Sequence, residues 1–127
     1  MKKFTFIFFS FIFFSACLGD KSKKGIGNLM QSGMRMQADE KFKTSLALIE
    51  LHKIRTGSYP ETLEDIGFLT QMDSMSFSFV KYTLLDSTYR LDINFIPGFK
   101  GEANNGVGLH YPEGFWKGTG CSQSNTK

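Results

Sequence analysis

The sequence is poor in the side chains that do most enzymatic and metal chemistry: 127 residues carry two Cys, two His and one Trp. His52 and His110 have no Cys or carboxylate neighbours at zinc-ligand spacing, so a structural role is expected for each and no metal is expected. No Gly-x-Ser-x-Gly elbow, phosphate-binding loop or His-Glu-x-x-His motif occurs. An excess of one charge is also missing. The formal net charge is +3, which excludes a strongly basic nucleic-acid binder. No apolar run approaches the roughly 20 residues that a membrane-spanning helix needs. There is no internal repeat, and neither Pro nor Gly interrupts residues 34 to 55.

What is abundant is phenylalanine, and it is concentrated at one end. Lys2-Lys3 precedes an apolar run from Phe4 to Phe14 that holds seven of the 14 Phe, then Ser15 and Ala16. A basic start, a short apolar stretch and small residues make a secretory signal peptide over residues 1–16. Phe14-Ser15-Ala16-Cys17 resembles a bacterial lipobox, with Phe14 where Leu is usual. The resemblance implies that Cys17 becomes the diacylated N-terminus, because the thioether to the lipid forms before the peptidase cuts. Removal of 16 residues leaves 111 of the 127, and loss of Lys2 and Lys3 lowers the net charge from +3 to +1. That length suits one small core and no large cofactor fold. Two or three acyl chains, each buried methylene contributing about 0.8 kcal/mol, hold such a domain on a bilayer. The expected location is therefore the cell membrane or outer membrane, lipid-anchored and facing the periplasm. Leu18 in place of Asp after the lipidated Cys resembles outer-membrane sorting in some bacteria. With Cys17 acylated, Cys121 is the one thiol left and no intramolecular disulfide can form.

Residues 17–33 hold Gly, Lys, Ser and Asn with few large apolar groups, and read as the lipidated Cys and a flexible tether. A helix is expected from near Met34 to Arg55, closed by Gly57 as its C-terminal cap. At about 100° per residue, Phe42, Leu46 and Ile49 form one apolar stripe, while Ala47, Leu48, Leu51 and Ile54 fall on the other side. A surface helix needs one such face. The second is either covered within the domain or kept for a partner. Tyr59-Pro60 stops the chain, and Thr62 is placed to cap a short helix with Glu64 and Asp65 in its first turn. Two period-two runs follow, Ser76 to Leu84 and Tyr89 to Phe95, joined by Asp86, Ser87 and Thr88. In the second, Tyr89, Leu91, Ile93 and Phe95 share one face. Val107, Leu109 and Tyr111 offer at most one more strand, and residues 119–127 read as a disordered tail.

This order of elements resembles the globular domain of type IV pilins and, more closely, the major pseudopilins of type II secretion. The matching residues are Ala47 to Lys53, Gly57-Ser58-Tyr59-Pro60-Glu61-Thr62-Leu63-Glu64-Asp65-Ile66, and Tyr89-Arg90-Leu91, within residues 38 to 96. The resemblance implies an α+β domain over residues 34–118, with a long N-terminal helix packed on a small antiparallel sheet. The departures are equally specific. Lys3 stands where a prepilin has Gly before its cleavage site, Phe8 stands for the assembly Glu, and the apolar run ends at a lipobox. The resemblance thus implies a pilin-like domain on a lipid anchor rather than a filament subunit. Relatives of that kind bind calcium through loop carboxylates, but the corresponding stretch here offers Glu102, Asn104 and Asn105, too few carboxylates for a calcium site.

The expected function is a non-catalytic, envelope-anchored interaction module without cofactor or nucleic-acid partner. It would be held to the bilayer through Cys17 and present Leu48, Leu51 and Ile54 to an envelope or secretion-system protein. Two alternatives come from other classes. Met30, Met34, Met36, Met72 and Met75 are thioethers of the kind that bind Cu(I), although core filling accounts for them more simply. A small envelope enzyme would need a pocket that gathers His110 with carboxylates; the cluster Glu61, Glu64, Asp65 is already explained by its helix start. Trp116 is expected to plug the end of the sheet.

Overall fold

The computed structural model describes residues 21–67, 70–94 and 107–127. Cys17, Phe95 and the Glu102/Asn104/Asn105 stretch lie outside them. The chain divides into two units, Met1–Gly33 and Met34–Lys127. The second is an α+β domain in which a long helix and a three-stranded sheet share one core.

Helix α1 runs from Lys21 to Thr56, so it begins well before Met34 and includes most of the expected tether. Three glycines (25, 27 and 33) obscured it, because glycine is the weakest helix former after proline. Its end is as expected: Gly57 adopts φ 89° and donates its backbone N–H to the Lys53 carbonyl at 2.8 Å. Ala38, Phe42, Leu46 and Ile49 are buried on one stripe. Ser45 shares that stripe at full burial because its hydroxyl donates to the Lys41 carbonyl at 2.8 Å. Each large apolar side chain buried this way contributes about 1.5–3 kcal/mol.

After α1, Thr62 opens a single 3₁₀ turn, Leu63–Asp65, and the Asp65 carboxylate accepts from the Thr62 backbone N–H at 2.8 Å and its hydroxyl at 3.0 Å. Helix α2, Gln71–Phe77, follows and overrides the strand pattern expected to start at Ser76. Its cause is local. Thr70 and Asp73 form a capping box, the Asp73 N–H donating to the Thr70 hydroxyl and the Thr70 N–H to the Asp73 carboxylate, both at 3.2 Å.

Strands β1 (Val80–Leu84) and β2 (Tyr89–Ile93) pair antiparallel with Val80 opposite Ile93 and Leu84 opposite Tyr89. Tyr89, Leu91 and Ile93 are all buried and Arg90 is exposed, as the alternation requires. Strand β3 is Cys121–Gln123 and lies parallel to β2, giving the order β1-β2-β3. The sheet is therefore mixed rather than wholly antiparallel. A parallel partner needs a long return connection, and the chain from 94 to 120 supplies one. Val107 and Leu109 enter the core without forming a strand, and Glu113–Trp116 makes a further 3₁₀ turn.

The expected disordered tail is instead built into the domain. The Asn125 side-chain amide bridges the β2 backbone, its Oδ1 accepting from the Ile93 N–H at 2.8 Å and its Nδ2 donating to the Ile93 carbonyl at 3.0 Å. The Asn125 N–H donates to the Asp92 carboxylate at 2.8 Å. Lys127 donates to the carbonyls of Cys121 and Ser122, both at 2.8 Å, and lies over the Trp116 ring. Polar residues satisfying a sheet edge look, in composition, like residues left in solvent.

Candidate interaction face

Among the described residues, the second stripe of α1 is covered only in part. Ala47 is exposed, Leu48 is half-buried, and Leu51 and Ile54 retain 37% and 80% of their surface. One apolar stripe of the helix thus lies in the core, and the other keeps three of its four residues exposed. The isolated exposure of an apolar residue means little; a row at i, i+3 and i+6 opposite a filled core stripe is a surface.

Three anchors, two polar and one aromatic, hold this helix and so fix the orientation of the exposed row. The first is Glu50, between the two stripes. Its carboxylate accepts from the Tyr89 hydroxyl at 2.8 Å, the Tyr59 hydroxyl at 3.2 Å and the Gly120 backbone N–H at 2.7 Å. One side chain therefore ties α1 to β2, to the segment after α1 and to the entry of β3. A Cβ at Gly120 would overlap the Tyr59 hydroxyl and ring, which is why glycine stands there. The Tyr59 and Tyr89 rings meet edge to face at 4.9 Å between centroids, and Tyr82 donates to the Pro60 carbonyl at 2.7 Å. Burial, reinforced by the Glu50 charge and hydrogen bond, pushes the Tyr59 phenol up to about 12 and the fully buried Tyr89 phenol further upward. Burial, with Tyr59 and Glu50 nearby, also raises Tyr82 to about 12.

The second anchor is Asp39, which accepts from the Tyr111 hydroxyl and from Lys43, each at 2.8 Å. Its partial burial opposes ionisation, but the hydrogen bonds from Lys43 and Tyr111 and the charges of Lys43 and Arg35 outweigh that and hold its carboxyl below the ordinary value. The third is aromatic. Phe42 stacks on Tyr111 at 5.4 Å and meets Trp116 edge-on at 6.1 Å, with Phe115 stacked on Tyr111 at 4.3 Å. Trp116 thus packs against the helix rather than simply closing the end of the sheet.

At the C-terminal end of α1 lies an open cleft of about 420 Å³, lined by Lys53, Gly57, Ser58, Tyr59, Glu61, Leu84, Asp86 and Ser87. The Lys53 ammonium sits 4.2 Å from the Tyr59 ring centroid, and Glu61 and Asp86 add acidic residues to the lining. A smaller cleft of about 260 Å³ is lined by Tyr111, Glu113, Trp116 and Lys127. Neither lining includes a histidine. His110 is exposed and His52 half-buried. Among the described residues, no group of three or more His, Cys, Asp or Glu is placed to hold a metal ion. Four of the five methionines do not fill the core: Met30, Met36, Met72 and Met75 are all more than half exposed, and Met34 is half-buried. Cys121 lies within the expected disordered tail but is held firmly. It is 3% exposed at the start of β3, its thiol donates to the Gln123 carbonyl, and burial raises its pKa above the ordinary thiol value.

The chain matches no protein-family model, no curated protein and no solved structure. Among the described residues, no helix is long and apolar enough to cross a membrane.

Proposed function

We propose that this protein is a bacterial envelope lipoprotein whose α+β domain, similar to the globular domain of pseudopilins, acts as a non-catalytic protein-interaction module. Acylated Cys17 attaches it to the cell or outer membrane, facing the periplasm. Leu48, Leu51 and Ile54 form the contact with another envelope or secretion-system protein, and the cleft beside the helix end receives side chains of that partner. The observation that carries this reading is the exposed apolar row on α1 opposite a filled core stripe. The lipobox-like Phe14-Ser15-Ala16-Cys17 supports the anchor.

The test uses Ile54→Lys and Leu51→Lys. A photo-crosslinking residue at position 47, in cells, is expected to give one discrete adduct that both substitutions abolish. Surface substitutions stay within about 0.5 kcal/mol, so the thermal midpoint of Ile54→Lys is expected to move by no more than about 4 °C. A large fall would place the row inside the fold. Mass spectrometry that finds an unmodified Cys17 thiol would remove the anchor from the reading.

A further inference from the structure

We propose that residues 25–33 of α1 lie on the lipid headgroup surface as an interfacial amphipathic helix, apolar side down. The inference rests on acylation of Cys17 and says how the chain behaves next to that anchor. Ile26, Leu29 and Met30 are 57%, 75% and 60% exposed. They recur at i, i+3 and i+4, the spacing of one helix face. Asn28, Gln31 and Ser32 occupy the opposite face, and all are exposed. This short segment contains three glycines and is helical nonetheless. Intrinsic propensity does not account for that. A lipid surface would favour the same form, because seating the apolar arc stabilises the helix over the coil.

Chain length selects the lipid as the occupant. Cys17 to Lys21 is four residue steps, so the first residue of α1 lies within roughly 14 Å of the acylated residue even if the link is fully extended. At about 1.5 Å per residue, the segment from there to Gly33 is about 20 Å long, enough to lie along a bilayer surface but not to cross it. Charge agrees. Lys21, Lys23 and Lys24 bring three positive charges to the start of α1, and its first turn has no acidic residue, which suits anionic headgroups. An interfacial helix of this kind binds weakly alone. Its affinity matters little when the acyl chains already hold it within reach.

The experiment uses the full acylated chain, its N-terminal mass verified, in vesicles of phosphatidylethanolamine and phosphatidylglycerol. An environment-sensitive fluorophore is placed at Leu29→Cys or Gln31→Cys, about 160° apart round the helix at 100° per residue; Cys121 is buried and escapes brief labelling. The expected result is a blue-shifted emission at position 29 and several-fold stronger quenching there by nitroxide-labelled lipid than at position 31. Ile26→Asn should abolish the difference while the chain still floats with the vesicles. Equal quenching at both positions on a chain that floats overturns the interfacial helix and leaves the acyl anchor standing. A shift at position 29 that disappears on dilution to one chain per vesicle assigns the face to a second copy and also overturns it. A chain recovered without acyl groups overturns the anchor and the helix placement together.

Discussion

Replacing Glu50 by Ala tests whether a single carboxylate locks α1 to the sheet. The substitution strands three donors: the Tyr89 and Tyr59 hydroxyls and the Gly120 amide. Tyr89 is fully buried, so its hydroxyl cannot turn to water; Tyr59 is only half-buried and recovers part of its loss. At about 1–3 kcal/mol for each donor left unsatisfied, and with Tyr59 discounted, the expected cost is about 3–4 kcal/mol. At about 4–8 °C per kcal/mol for a domain of this size, the midpoint should fall by roughly 12–30 °C. Glu50→Gln keeps an acceptor and removes the charge, so a smaller loss of about 1–2 kcal/mol is expected. Urea unfolding followed by circular dichroism gives both values. A double-mutant cycle with Tyr89→Phe isolates the shared bond, with an expected coupling of about 1–2 kcal/mol. A Glu50→Ala loss below about 1 kcal/mol, or no coupling to Tyr89, would refute the assignment of Glu50 as the junction of helix, sheet and β3.

The phenols give a pH test. Tyr59 and Tyr82 are raised from 10.0 to about 12, and Tyr89 and Tyr111 also rise by burial and by their carboxylate partners Glu50 and Asp39. A folded-state pKa above the unfolded one gives stability that is complete below pH 10 and lost as pH rises towards 12. Absorbance at the phenolate band should show ionisation only as the fold is lost; a phenol titrating at its ordinary value in the intact domain would contradict the burial described. Asn125→Ala removes both bonds to the Ile93 backbone and is expected to cost about 1–3 kcal/mol in urea unfolding; no change would mean that residues 119–127 do not close the sheet. The Cys121 thiol should resist alkylation in the native domain and react at once in denaturant, as mass spectrometry after timed labelling will show.

The sequence pattern revealed elements that are one-sided. The Phe42, Leu46, Ile49 stripe, the Gly57 stop and the Tyr89, Leu91, Ile93 alternation are all present where periodicity puts them, because one buried face against one wet face leaves a regular imprint. The opposing row of Leu51 and Ile54 was equally visible, though periodicity could not say whether it was covered. Other features rest on contacts between residues distant in sequence. Nothing near Glu50 signals that Tyr59, Tyr89 and Gly120 converge on it. Asn125 carries no mark of its bond to Ile93. The Thr70 and Asp73 capping box was locally legible but was masked by the alternating Ser and Phe that follow, whose strand-like pattern gives way to the helix at Ser76 and Phe77. The start of α1 was hidden by its glycines.

The parallel placement of β3 bears on how a chain synthesised from its N-terminus acquires this structure. Helix and hairpin emerge early, yet the β3 partner of Tyr89 and Arg90 arrives only with Cys121 to Gln123, and the side-chain clamp on Ile93 only with Asn125. Until that moment Glu50 also lacks its bond from the Gly120 amide. The core is thus completed only once the segment carrying Gly120, Cys121 and Asn125 reaches the hairpin and helix that precede it.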